Sequence, residues 1–140
     1  MSTELIKGHA VPLLQVYDLP MSLAFYRDVL GFELVQGDDS WWAMLRLGEA
    51  YLMLNTAYED NERPPAADPK RVRGHNDLSL YFSTTDPDAL YAHVRARGCD
   101  AAPPVNTTYG MRQVNLKDPD GFELCFTRPI QSVITCSARL

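Results

Sequence analysis

The chain has 140 residues, 46% of them hydrophobic, enough for one independent core without disulfides or a structural metal. Its formal net charge is −5, and the only basic cluster is the loop around Lys70, Arg71 and Arg73, so nucleic acid and anionic membrane are poor partners and small molecules or proteins better ones. No apolar run is long enough to span a bilayer and residues 1–10 hold no apolar leader, which makes a cytoplasmic protein the expectation.

Alternating apolar residues predict a strand over 13–17. Asp18 then stands as a helix N-cap and Pro20 lies in the first turn. Leu23, Tyr26 and Leu30 follow at helical spacing and Gly31 is a stop, so a helix is predicted over 20–30. Strands are predicted over 32–36, 41–47 and 51–56, separated by Gly37-Asp38-Asp39 and Gly48-Glu49. Residues 57–75, rich in Pro, Glu, Asp and Arg, read as a linker or mobile loop.

The order then repeats. A strand is predicted over 78–83, a helix carrying Leu90 and Val94 over 87–97, and a weak strand over 100–103 broken by Pro103-Pro104. A last pair over 113–117 and 122–127 flanks the turn Asp118-Pro119-Asp120-Gly121. Asp18 to Asp86 is an offset of 68 and Gly31 to Gly98 one of 67, so two copies of one βαβββ unit are implied. Module one is placed at about 10–56, a linker at 57–76, module two at about 77–128, and a tail at 129–140 that is available to a dimer partner.

Period-two alternation assigns the faces of the strands. Leu78, Leu80 and Phe82 are expected under the helices, with Asp77, Ser79, Tyr81 and Ser83 opposite them. Leu124 and Phe126 likewise oppose Glu123, Cys125 and Thr127, while Ala43, Leu45 and Leu47 oppose Trp42, Met44 and Arg46. Trp41 is expected in core or dimer packing. Cys99, Cys125 and Cys136 are odd in number and lack zinc-knuckle spacing, so they read as free, buried thiols of a reducing compartment.

The string Asp18-Leu19-Pro20 through Ala24-Phe25-Tyr26-Arg27-Asp28-Val29-Leu30-Gly31-Phe32, together with Tyr109-Gly110-Met111-Arg112 and Asp118-Pro119-Asp120-Gly121, resembles the paired signatures of the vicinal oxygen chelate superfamily, which holds the glyoxalases, bleomycin-resistance proteins and dioxygenases. The resemblance implies an α+β fold in which two βαβββ modules form a curved mixed sheet around a concave cleft, and it implies a homodimer. Its metal-using members hold a divalent ion on His, Gln or Glu side chains. Carried over one at a time, those positions fall on Val11, Ser79 and Cys125, with Met53 and Asn55 where a further carboxylate would stand. A shift of two residues on each strand reaches His9, Asp77 and Glu123, with His75 close by; these are an alternative set for Zn, Ni, Mn or Fe in a glyoxalase-like lyase or extradiol-type dioxygenase.

The run from Ser40 to Gly48, with Leu52-Met53-Leu54, is similar to the metal-free bleomycin-resistance proteins. It implies a metal-independent protein that binds an antibiotic-like or aromatic small molecule and needs no cofactor. Val11, Leu13, Trp42, Met44 and Tyr81 are the expected apolar lining, with Tyr109 or Phe122 as further stacking partners. Gln15, Ser79, Gln113 and Cys125 add polarity. Arg46 and Arg112 suit an anionic group on the ligand, and Glu123 a cationic one. Cys125 lacks a neighbouring base for nucleophilic work, and His93 reads as a surface residue.

Overall fold

A computed structural model describes residue 5 and residues 8–59 and 61–130. The chain divides into two compact units, Met1–Ala67 and Asp68–Leu140. In the first, β1 (Leu13–Val16), β2 (Glu33–Gly37), β3 (Trp42–Leu47) and β4 (Ala50–Thr56) form a sheet of order β1-β4-β3-β2. In the second, β5 (Ser79–Ser83), β6 (Val105–Asn106), β7 (Met111–Lys117) and β8 (Glu123–Pro129) form one of order β5-β8-β7-β6. The first strand of each sheet pairs parallel to the last and the other pairings are antiparallel, so the repeat in sequence is a repeat in topology.

In the first unit the Asp18 carboxylate accepts from the Met21 N–H at 3.0 Å and starts α1 (Leu19–Ala24). The single helix expected over 20–30 is instead α1 followed by a π turn, Phe25–Val29, in which the Leu30 N–H reaches back five residues to the Phe25 carbonyl at 3.3 Å. Packing overrides the α repeat here: Tyr26 is fully buried, with edge-on ring contacts to Phe25 and Phe32, both at 5.4 Å. Beneath the helix lie Leu14, Val16, Ala43, Leu45, Leu52 and Leu54, all buried. Leu47, assigned to the same face, is only half-buried at the strand end. Trp41 is 64% exposed and is not core: β3 begins one residue later, and Trp41 lies at the sheet's open end.

The segment expected to be a linker is structured at both ends. On the first unit, the Tyr17 hydroxyl donates to the Pro64 carbonyl at 2.6 Å, and Arg63 pairs with Asp18 at 3.2 Å. On the second, Asp68 accepts from the Lys70 N–H at 2.9 Å and, with Pro69 in the first turn, starts α2 (Pro69–Gly74). Those are ordinary helix-start signals, outweighed in the sequence reading by the polar composition around them. A 3₁₀ turn, His75–Asp77, follows. The His75 ring stacks on Phe122 at 3.8 Å, and its Nδ1 lies 2.6 Å from the Asp120 carbonyl. Asp118, 5% exposed, accepts from the N–H groups of Asp120 and Phe122, each at 2.9 Å, and so closes the turn that α2 packs on.

Helix α3 (Pro87–Ala96) starts at Asp86, whose carboxylate accepts from the Ala89 N–H at 3.0 Å, and buries Val94. Leu80 and Phe82 lie on its side of β5, but Leu78 is 40% exposed because β5 starts only at Ser79. The weak strand expected over 100–103 falls instead at Val105–Asn106, since Pro103 and Pro104 have no N–H to give to a ladder. Cys125 is buried and Cys99 half-buried, both as free thiols; Cys136 and the tail from 131 onward lie outside the described residues. Among the described residues no helix is long and apolar enough to cross a membrane.

Arg112 fastens α3 to β7. Its Nε and Nη2 donate to the two carboxylate oxygens of Asp88, at 2.8 and 2.6 Å, and its Nη1 donates to Asn106 at 2.9 Å. Those hydrogen bonds hold the Asp88 carboxyl below its ordinary range. A depressed carboxylate stabilises the fold above its unfolded pKa of about 3.9, and that stability is lost as pH falls through the lower folded value. Asp88→Asn is therefore expected to lower the melting temperature at neutral pH, with the gap closing below about pH 4, as paired thermal melts would read.

Candidate functional site

Each sheet keeps one face for its helix and leaves the other free of helices. Strand register orders the free face of the first unit into rows across β1, β4 and β3: Leu13–Met53–Met44, then Gln15–Asn55–Trp42. A further row runs Tyr51–Arg46–Glu33. On the second unit the matching rows are Tyr81–Cys125–Asn115, Ser83–Thr127–Gln113 and Ser79–Glu123–Lys117. The two faces are therefore equivalent in register but not in chemistry. Where one displays Leu, Met and Met, the other has Tyr, Cys and Asn.

The first face is apolar and polarisable in its middle, with the thioethers of Met44 and Met53 beside Trp42. At its end the Arg46 guanidinium donates to Glu33 at 2.8 Å, and this bond, with Tyr51 beside it, raises the Arg46 pKa further. Arg46 is thus on the expected face but already neutralised. On the second face Tyr81 is 61% exposed and Tyr109 65% exposed. The Tyr109 hydroxyl donates to Gln113 at 3.3 Å, and the Ser79 hydroxyl donates to Glu123 at 2.9 Å. Cys125, then Tyr109, then burial raise the Tyr81 pKa. Burial, and after it Glu123, pushes the Cys125 thiol up, so it stays protonated and unreactive near neutrality.

Three polar side-chain atoms on these faces are buried without a hydrogen-bond partner: Asn55 Oδ1, Asn115 Oδ1 and Thr127 Oγ1. Asn55 and Thr127 occupy the same place in the two copies of the repeat. A buried polar atom left without a partner costs about 1–3 kcal/mol.

Of the residues singled out from sequence, Leu13, Gln15, Trp42, Met44 and Arg46 share the first free face, and Ser79, Tyr81, Gln113, Glu123 and Cys125 the second. Val11 precedes β1 and is half-buried. Arg112 is a correction: it shares parity with Val114 and Leu116, which face the helix, and Asp88 of α3 holds it there. Phe122 is buried under His75 and is not available for stacking. Asn115 was missed, although alternation from Gln113 places it on the same face.

A family model, the Glyoxalase/Bleomycin resistance protein/Dioxygenase superfamily, matches residues 8–126. The chain belongs to that superfamily. No curated protein matches it. Among solved structures, TnmS3, an antibiotic binding protein from Streptomyces sp. CB03234, is 26% identical with a TM-score of 0.66, over 87% of this chain and 96% of that one. The bleomycin-binding protein from bleomycin-producing Streptomyces verticillus, solved with copper(II)-bleomycin, is 26% identical with a TM-score of 0.62, over 88% and 95%. A lactoylglutathione lyase from Agrobacterium tumefaciens is 20% identical with a TM-score of 0.63, over 86% and 92%, and shows the shared fold alone.

Within this superfamily a divalent ion is the group the fold brings to mind, and the donors here do not fit one. The positions that carry the family's ligands hold Val11, Ser79 and the protonated Cys125 thiol. Of the alternative donors, His9 lies in the first unit and Asp77 and Glu123 in the second.

Proposed function

We propose that this chain binds an organic small molecule, partly aromatic and bearing hydrogen-bond donors, on the helix-free sheet faces and without a resident metal. The carrying observation is the set of buried, unpartnered acceptors at Asn55, Asn115 and Thr127 beside aromatic and thioether surface. The likeness to two antibiotic-binding proteins, each 26% identical, supports the same reading. Arg46 is neutralised by Glu33 and Arg112 is turned to the helix, so neither offers a free charge to an anionic ligand. A cytoplasmic homodimer acting in antibiotic resistance belongs to this reading, and the exposed Trp41 is an apolar anchor available to a second copy.

Titration with bleomycin and with a quinone-type antibiotic, followed by tryptophan fluorescence and calorimetry, tests the proposal. Saturable binding is expected for at least one of them, weakened about tenfold in Trp42→Ala, in keeping with the loss of one aromatic contact and its burial. An unchanged fluorescence and melting temperature at saturating concentrations of both would sink drug sequestration. Stoichiometric uptake of Zn²⁺, Ni²⁺, Mn²⁺ or Fe²⁺ by chelator-stripped protein would overturn the metal-free part.

A further inference from the structure

The polar segment after β4 is tied to the first unit where the chain leaves β1. Four contacts from it end on two consecutive residues, Tyr17 and Asp18. The Tyr17 hydroxyl donates to the Pro64 carbonyl at 2.6 Å, its ring and that of Tyr58 meet edge-on at 6.3 Å, and the Arg63 guanidinium lies 5.4 Å over the Tyr17 ring. Arg63 also pairs with Asp18 Oδ2 at 3.2 Å, while Asp18 Oδ1 caps α1. Tyr58, Glu59 and Arg63 help to wall a cavity of about 180 Å³, which Pro20 of α1 and Ser40 of the β2–β3 turn also line. We propose that this segment, residues 57–59 and 61–64, is a strap that closes on the first unit with Tyr17 as its latch.

The latch decides what joins the two units. With the strap open, residues 57–67 lead to the Asp68 cap of α2; with it closed, only Pro65, Ala66 and Ala67 do. The four residues from Pro64 to Asp68 reach about 14 Å at full extension. Proline narrows the connection further. The Pro65 ring fixes its own φ, Pro64 is kept out of the α region by the proline after it, and Asp68, which precedes Pro69, is extended with a ψ of 117°. Ala66 and Ala67 alone keep both dihedrals free of those restrictions, so closing the strap replaces a long tether by a two-residue hinge. Because the hydrogen bond, the ring contacts and the ion pair converge on neighbouring residues, they are lost together, and the strap opens as one piece.

The test is limited proteolysis of the whole chain with a glutamyl endopeptidase, which cuts after Glu59 and Glu62 when the strap is open. With opening and closing fast relative to cutting, the rate reports the open population. The unsubstituted chain is expected to be cut there more than tenfold more slowly than a free peptide of residues 55–68. Tyr17→Phe removes the hydroxyl and keeps the ring, and is expected to speed cutting about threefold to tenfold, the effect of one net hydrogen bond. Arg63→Gln acts from the strap side and leaves Tyr17 in place; it is also expected to speed cutting, with the melting temperature unchanged in both variants. Cutting of the unsubstituted chain at the peptide's rate, either variant cut at the unsubstituted rate, or faster cutting that tracks a lower melting temperature overturns the proposal. The last of these would make the contacts part of the unit's global stability and leave no separate strap motion.

Discussion

Alanine at Gly37 is expected to destabilise the protein by about 3–4 kcal/mol and to change the near-ultraviolet circular dichroism of its tryptophans. Gly37 ends β2 at a φ of +85°, a left-handed conformation that costs an L side chain about 1–2 kcal/mol. A Cβ there would also collide with the Trp42 carbonyl oxygen, and would lie 2.9 Å from Trp42 Cε3 and 3.0 Å from the Ala43 Cα. Two of those neighbours are backbone, and the carbonyl is held by the Asp38 N–H at 3.1 Å, so the strand itself must move.

Gly31 provides the control. Its φ is +86°, nearly the same, yet a Cβ there meets nothing within 4 Å. Gly31→Ala is expected to cost only the conformational part, about 1–2 kcal/mol. The difference between the two variants in urea unfolding isolates the steric part, which falls on the residue that carries Trp42 onto the free face. If both variants unfold at one midpoint, the β2–β3 turn does not hold Trp42 in place, and the ligand face must be positioned from elsewhere.

What the sequence makes legible here is what depends on period and offset. The 68-residue offset from Asp18 to Asp86 is enough to place two equivalent sheets, and alternation alone puts Trp42 and Met44 on one face and Ala43 and Leu45 on the other. The same rule would have turned Arg112 away from the ligand face, since it is even-numbered with Val114 and Leu116; its charge suggested a ligand contact, and the Asp88 that claims it is distant in sequence. Helix α2 was hidden by composition, although Asp68-Pro69 is a sound helix start. The orphaned acceptors were beyond reach in principle. Whether Asn55, Asn115 or Thr127 lacks a partner depends on what stands within hydrogen-bond distance after folding, which no local pattern encodes.

Those acceptors give the most discriminating expectation, because function and stability should move in opposite directions. Asn55→Leu and Thr127→Val keep side-chain shape while removing a buried polar atom that nothing in the chain satisfies. Each is expected to stabilise the free protein by about 1 kcal/mol, the desolvation penalty no longer carried. Each is also expected to weaken the bleomycin or quinone probe about tenfold, the effect of about 1.4 kcal/mol from one lost hydrogen bond. The positions correspond across the repeat, yet one lies beside Trp42 and the other beside Gln113, so the two losses need not be equal. A structural role predicts the reverse sign: were Asn55 holding the sheet together, leucine would lower the melting temperature. Stabilised variants that still bind the probe at full strength would show that the acceptors face a group other than the probe, and would move the search from aromatic antibiotics to other donors.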